Sequence, residues 1–364
     1  MKQKMRFIES LFSRLNQRVI HVFICAVLLG LPSCFAAVGG TVTVDDTRLA
    51  FLGAWQSDTD GVYTVYGGSQ IKFVVCGQAR LQMRAGTGNS LLLAVRDGPR
   101  EVWRGIPPDT GLVIDSGSST TCYSVVYVAA TKSPVQSGST NLDADEWRIS
   151  GMTLGPGAIL FNQSPGQAKP MVEFLGDSIT SGDHIHGRSG DPLRDADSLA
   201  TFAFILADKM GCPYRIRGYP GSGAWDVRQQ YVWFKTAVPL IENRPVDLVL
   251  INLGANKRQE DNAHFFGDMK HLVDLIRTRH GGVRIVLLNF FRMTPNRLPG
   301  LLALAKLYPH DVFVFDARPY LLGYSDGGVH PDVVSHRKLA DALADYVTRE
   351  LLPSPVLTPI ISDR

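Results

Sequence analysis

Apolar and polar positions along this chain follow two rhythms, and the change between them divides it. From residue 38 to about 163, short runs rich in β-branched and aromatic residues recur at 41–44, 61–66, 71–75, 79–83, 91–95 and 123–129. Gly, Asn, Asp and Ser clusters punctuate them, and no 3.6-residue period of any length competes. Short strands separated by turn signals predict a β-sandwich, jelly-roll-like in form. Residues 164–170, Ser-Pro-Gly-Gln-Ala-Lys-Pro, have the composition of a linker. Beyond it, strand-like runs at 171–175, 214–217, 247–253, 283–290 and 312–316 alternate with helix-like stretches near 199–210, 226–237, 264–279, 299–308 and 334–352. Run 247–253 is mostly apolar, as a strand covered on both faces is. Alternation of this kind predicts an α/β domain, doubly wound around a parallel sheet of five strands. The expected divisions are 38–165 and 168–355.

The first 36 residues follow neither rhythm. Lys2, Lys4, Arg6, Arg14 and Arg18 precede a stretch at 19–31 that is apolar except for His21, and Pro32, Ser33, Ala36 and Ala37 follow. This is the pattern of a signal peptide, too short to span a membrane comfortably, with cleavage expected near Ala36. An uncleaved anchor, or a lipoprotein signal at Leu31-Pro32-Ser33-Cys34, is the alternative. The expected product is exported, periplasmic or secreted, with no stable membrane insertion after cleavage.

Composition adds little until the leader is removed. With 45% hydrophobic and 20% charged residues in 364, the chain is ordinary for a globular protein. Loss of the leader's five basic residues and Glu9 takes the formal charge from +3 to −1. No basic field remains to attract nucleic acid or an anionic membrane. Cys76, Cys122 and Cys212 persist. A Cys76–Cys122 disulfide fits an oxidising compartment, and two buried free thiols fit as well.

Candidate chemistry lies in four places. Ser178 follows the apolar run 171–175 in Gly176-Asp177-Ser178-Ile179-Thr180. A strand ending in a loop presents that hydroxyl at the carboxyl edge of a sheet, where open α/β sheets bind ligands. A free serine is a poor nucleophile, so it needs a base and oxyanion donors. His330, in Gly328-Val329-His330-Pro331-Asp332, is the candidate base. Gly221, in Gly218-Tyr219-Pro220-Gly221, and Asn256, in Leu253-Gly254-Ala255-Asn256, are candidates for the oxyanion site. The segment holding Asp183, His184, His186, Asp191, Asp195 and Asp197 reads as a polar loop walling a cleft, with His184 against substrate, and not as a metal site. No cofactor is required. Trp225 offers a face on which a sugar ring could stack, although helix packing is the commoner fate of such a residue.

Together these blocks resemble the SGNH, or GDSL-like, hydrolases. The resemblance implies a flavodoxin-like hydrolase domain, Ser178 as nucleophile, His330 as base, and an oxyanion hole from the Ser178 and Gly221 N–H groups and the Asn256 amide. Lys257 stands where the family usually has aspartate. The family often spaces Asp-x-x-His, whereas Asp326 lies four residues before His330. Asp326 or a backbone carbonyl could therefore orient the imidazole, giving a triad or a dyad. A sandwich preceding the hydrolase is similar to carbohydrate esterase family two. That likeness implies a carbohydrate-binding-like first domain and a serine esterase removing O-acetyl groups from carbohydrate. A short-chain lipase or thioesterase-type hydrolase, and a catalytically inactive carbohydrate-binding protein, are the alternatives.

Overall fold

The computed structural model describes residues 38–86, 90–130, 146–163, 169–237, 244–256, 261–290 and 296–352. The expected leader, residues 164–168 of the linker, Lys257 and the side chain of Trp233 lie outside the described residues.

The antiparallel part contains β1 (Val38–Val42), β2 (Ala50–Leu52), β3 (Gln56–Asp58), β4 (Gly61–Thr64), β5 (Gln70–Cys76), β6 (Gln78–Ala85), β7 (Leu91–Asp97), β8 (Arg100–Gly105), β9 (Leu112–Asp115), β10 (Thr121–Ala130) and β11 (Trp147–Phe161). Strand β11, of 15 residues, organises them. Its first half pairs with β4 and β6, and its last residues pair with β5. One 11-stranded sheet therefore folds over a single core. Trp55 and Trp147 pack at its centre with ring centroids 5.0 Å apart.

The register also corrects the expected disulfide: Cys76 and Cys122 are free thiols. Cys122 stands opposite Val74, which makes Cys76 its diagonal neighbour. Diagonal pairs sit about 7–8 Å apart, too far for a disulfide. Neither thiol is buried, since Cys122 is exposed and Cys76 partly so.

Five parallel strands follow: β12 (Val172–Gly176), β13 (Tyr214–Gly218), β14 (Leu248–Asn252), β15 (Arg284–Asn289) and β16 (Val312–Asp316), in the order β13-β12-β14-β15-β16. Every residue of β12, β13 and β14 is buried, because helices cover both faces. Helices α1 (Ser178–Ser181) and α2 (Pro192–Asp195) are single turns near the site, and α3 (Phe202–Met210), α4 (Ala224–Ala237), α5 (Asn262–Arg279), α6 (Leu298–Leu307) and α7 (Val333–Tyr346) form the outer layers. Apolar residues of α4, α5 and α6 share one core and those of α3 and α7 the other. This is the doubly wound arrangement expected, and the strand order reverses at β12, where such sheets hold their ligands.

The two sheets share cores. Val65 and Tyr66 join the α4–α6 side, and Val126 joins the α3–α7 side. The Tyr214 hydroxyl donates to the Gly68 carbonyl at 2.6 Å and accepts from Gln70 at 2.8 Å. Arg104 of β8 reaches Asp197, in the loop after α2, at 2.7 Å. The antiparallel sheet thus supports the loops at the edge of the parallel one.

Candidate active site

Three loops leave the parallel sheet at one level, because Gly176 of β12 lies in register with Gly218 on one side and Asn252 on the other. Each carries one of the motif blocks. Gly176 permits the sharp departure: a Cβ there would fall 2.0 Å from Thr180 Oγ1 and 2.9 Å from the Asn252 carbonyl. Asp177 then caps α1, its carboxylate accepting the Ile179 N–H at 3.0 Å. Ser178 occupies the first helical position, so its own N–H has no acceptor within the helix. Asp177 is fully buried, and burial raises its carboxyl to about 7.

Ser178 Oγ lies 2.9 Å from His330 Nε2. His330 Nδ1 lies 2.6 Å from Asp326 Oδ2, and the backbone N–H groups of Val329 and His330 donate to Asp326 Oδ1 at 3.1 and 2.9 Å. All three side chains are nearly buried. Burial holds His330 below the usual imidazole value, with Asp326 opposing the effect. Burial would raise Asp326, but the hydrogen bonds from His330 and the two N–H groups prevail and keep its carboxyl strongly acidic. The extra residue between Asp326 and His330 is absorbed by Gly327 and Gly328, whose φ angles are +85° and +143°. Ser325 N–H closes the loop on the His330 carbonyl at 2.9 Å.

Asn256 reaches the same edge. Its Nδ2 donates to the Ser222 carbonyl at 3.1 Å and stands 3.5 Å from Asp177 Oδ2, which leaves one amide hydrogen weakly engaged. Gly221 lies in a turn closed by Ser222 N–H on the Tyr219 carbonyl at 3.1 Å. Its φ of +75° after Pro220 is that of a type II turn. Among the described residues no hydrogen bond uses the Gly221 N–H.

The loop after α1 adds features on which the sequence was uneven. His184, with φ +53°, sets its ring edge-on to His330 at 5.1 Å between centroids. His184 Nδ1 is 3.9 Å from Asp195, and His186 Nε2 is 3.4 Å from Asp197. The two histidines thus face different carboxylates, and among the described residues no group of three potential ligands converges on a metal position. Arg188, unmarked by any motif, lies 3.1 Å from Asp326. Trp225, in the first turn of α4, is 51% exposed, with the Arg228 guanidinium 4.2 Å from its ring centroid. It is available to a ligand and not spent on packing the helix.

Residues 174–338, which span the serine, the asparagine and the histidine, match the model of the GDSL-like lipase/acylhydrolase family. The chain carries a GDSL-like hydrolase domain. No curated protein matches the chain in sequence. Among solved structures, a family two carbohydrate esterase from Clostridium thermocellum, in complex with cellohexaose, superposes with a TM-score of 0.68 at 17% identity, over 83% of this chain and 99% of that one. An acetyl xylan esterase from the rumen bacterium Butyrivibrio proteoclasticus gives 0.68 at 14% identity, over 86% and 99%. A salicylyl-acyltransferase from a tetracycline biosynthetic pathway gives 0.60 at 17%, over 85% and 99%. At such identities the likeness is one of fold, and it extends over the antiparallel sheet as well as the GDSL-like hydrolase domain.

Proposed function

We propose that the chain is an exported serine esterase that removes O-acetyl groups from carbohydrate, with Ser178, His330 and Asp326 as its catalytic triad. One observation carries the mechanism: the continuous chain of contacts from Ser178 Oγ through both nitrogens of His330 to Asp326, at 2.9 and 2.6 Å. In this reading Ser178 Oγ attacks the acetyl carbonyl carbon while its proton passes to His330 Nε2. Negative charge grows on the carbonyl oxygen, and the N–H groups of Ser178 and Gly221 with the Asn256 amide receive it. Collapse of the intermediate expels the sugar hydroxyl, which takes the proton from His330. Water then attacks the acetyl-serine, with His330 again as base, and acetate leaves. Asp326 holds the imidazole and stabilises its charged form.

The carbohydrate substrate is supported by the two-sheet fold common to the esterases above and by the exposed Trp225 beside the Gly221 turn, where a sugar face can stack. Export is supported by the leader pattern of the first 36 residues. No step requires a cofactor.

An ester panel tests the proposal, with p-nitrophenyl acetate, an acetylated xylo-oligosaccharide and a long-chain ester offered to wild type and Ser178→Ala. The acetyl esters should be cleaved, the long-chain ester poorly, and the variant should lose on the order of 10⁴-fold or more in kcat. Preference for the long-chain ester would move the reading to a lipase. Full activity in Ser178→Ala would remove the nucleophile.

A further inference from the structure

Arg188 lies outside every motif block, yet its guanidinium reaches the carboxylate oxygen that His330 uses. Nη2 and Nε are 3.1 and 3.2 Å from Asp326 Oδ2, while His330 Nδ1 is 2.6 Å from the same atom. Asp326 is 1% exposed and Arg188 57% exposed, so the arginine closes the site from the solvent side.

The loop bearing Arg188 is fixed on both sides of it. The carboxylate of Asp195, itself only 4% exposed, accepts the Ser189 and Gly190 N–H groups at 2.8 and 3.1 Å. The Asp195 carbonyl takes the His186 N–H at 3.0 Å. Two residues further on, Asp197 is held to the antiparallel sheet by Arg104. The backbone that presents Arg188 to Asp326 is thus held by the fold on both sides of the arginine.

We propose that Arg188 is a positioning residue that anchors Asp326 and sets the pH below which His330 stops acting as a base. The inference rests on the triad reading above. The groups facing His330 are Asp326 on its own loop, Ser178, His184 and Arg188 from the segment after β12, and His336 from the first turn of α7. Burial keeps His336 neutral, and Arg188 is the permanent cation of this set. When His330 accepts the serine proton, the imidazolium and the guanidinium must share one carboxylate oxygen. The like charge therefore opposes protonation of His330 and extends its activity toward lower pH. Burial is the larger cause of the depressed His330 value, and Arg188 and His184 add to it.

The experiment is the pH dependence of kcat/KM on p-nitrophenyl acetate for the full chain, as wild type, Arg188→Gln, Arg188→Lys and Ser178→Ala. Loss of the charge should move the acid limb upward by about half a pH unit, a size fitting an ion pair with one exposed partner. Arg188→Lys keeps the charge and should keep the wild-type limb. A lowered kcat with an unmoved limb in Arg188→Gln would overturn the proposal, leaving Arg188 a purely structural contact. An active Ser178→Ala would instead overturn the triad itself, so the two failures are distinguishable.

Discussion

Asp326 and His330 stand four residues apart in sequence, and their side chains meet at 2.6 Å, Oδ2 to Nδ1. A spacing of four gives this contact because the intervening glycines take positive φ and the loop closes on itself through Ser325. The same carboxylate binds the backbone N–H of His330, so it fixes the residue at two points.

Replacement of Asp326 by Asn should therefore be severe. The amide can no longer stabilise the imidazolium and favours the wrong tautomer, which in a serine-protease triad costs about 10⁴ in kcat. A loss below about tenfold would return the orienting task to a backbone carbonyl and make the pair Ser178–His330 a dyad. The measurement is kcat for Asp326→Asn beside wild type at saturating acetyl ester.

Asn256→Ala should lower kcat by roughly 10²–10³ and leave KM nearly unchanged, since an oxyanion donor acts only in the transition state. The Ser222 carbonyl that Asn256 now engages lies on the Gly221 turn, so the variant also tests the tie between the two. A change confined to KM would make Asn256 a ground-state binding residue.

Trp225→Ala separates sugar binding from chemistry. Its ring is half-exposed and contributes little to the core, so the fold should persist. KM for an acetylated oligosaccharide should rise about 5- to 30-fold, as loss of a stacking contact of about 1–2 kcal/mol implies, while p-nitrophenyl acetate is cleaved as before. Equal effects on both substrates would exclude a stacking platform.

How much of this was legible in sequence depends on whether a feature is local. Strand β16 was read to the residue and β12 to within one, because each writes itself as a short, mostly apolar run, although only β12 is buried along its whole length. The helices were found with errors of a few residues at their ends. Strands β2, β3, β8 and β9, only three to six residues long, were not read as elements, and β11 was hidden by Gly151 and Gly155-Pro156-Gly157 despite its 15 residues. Its stability comes from pairing with four other strands, which no window of sequence displays. At the site, the four motif blocks were visible because each sits at a strand end or in a Gly-containing turn. Whether Asp326 could meet His330 was not, since two glycines leave the loop's path open. Arg188 was invisible because its partner lies 138 residues away.

His336 provides a prediction about stability and acid. Its ring is 1% exposed, stacked on Phe202 at 5.9 Å, and Nδ1 accepts the Phe202 N–H at 3.0 Å, at the start of α3. Protonation would abolish that acceptor and bury a charge, so burial lowers the ring to about 3. His280, buried beside Glu173 and Tyr231, is likewise lowered by burial, to about 4. In the unfolded chain both take a proton near pH 6.5. The unfolded state therefore binds more protons between about pH 6.5 and the folded values. The stability these rings contribute is complete above that pH and declines as pH falls, by up to about 1.4 kcal/mol per pH unit for each. His336→Asn keeps an acceptor oxygen near the Nδ1 position and removes the titration. Urea unfolding at pH 7, 6, 5 and 4 should show a shallower decline for the variant than for wild type, by as much as one proton's slope. Parallel curves would acquit His336 and leave His280 and other groups to account for the acid sensitivity.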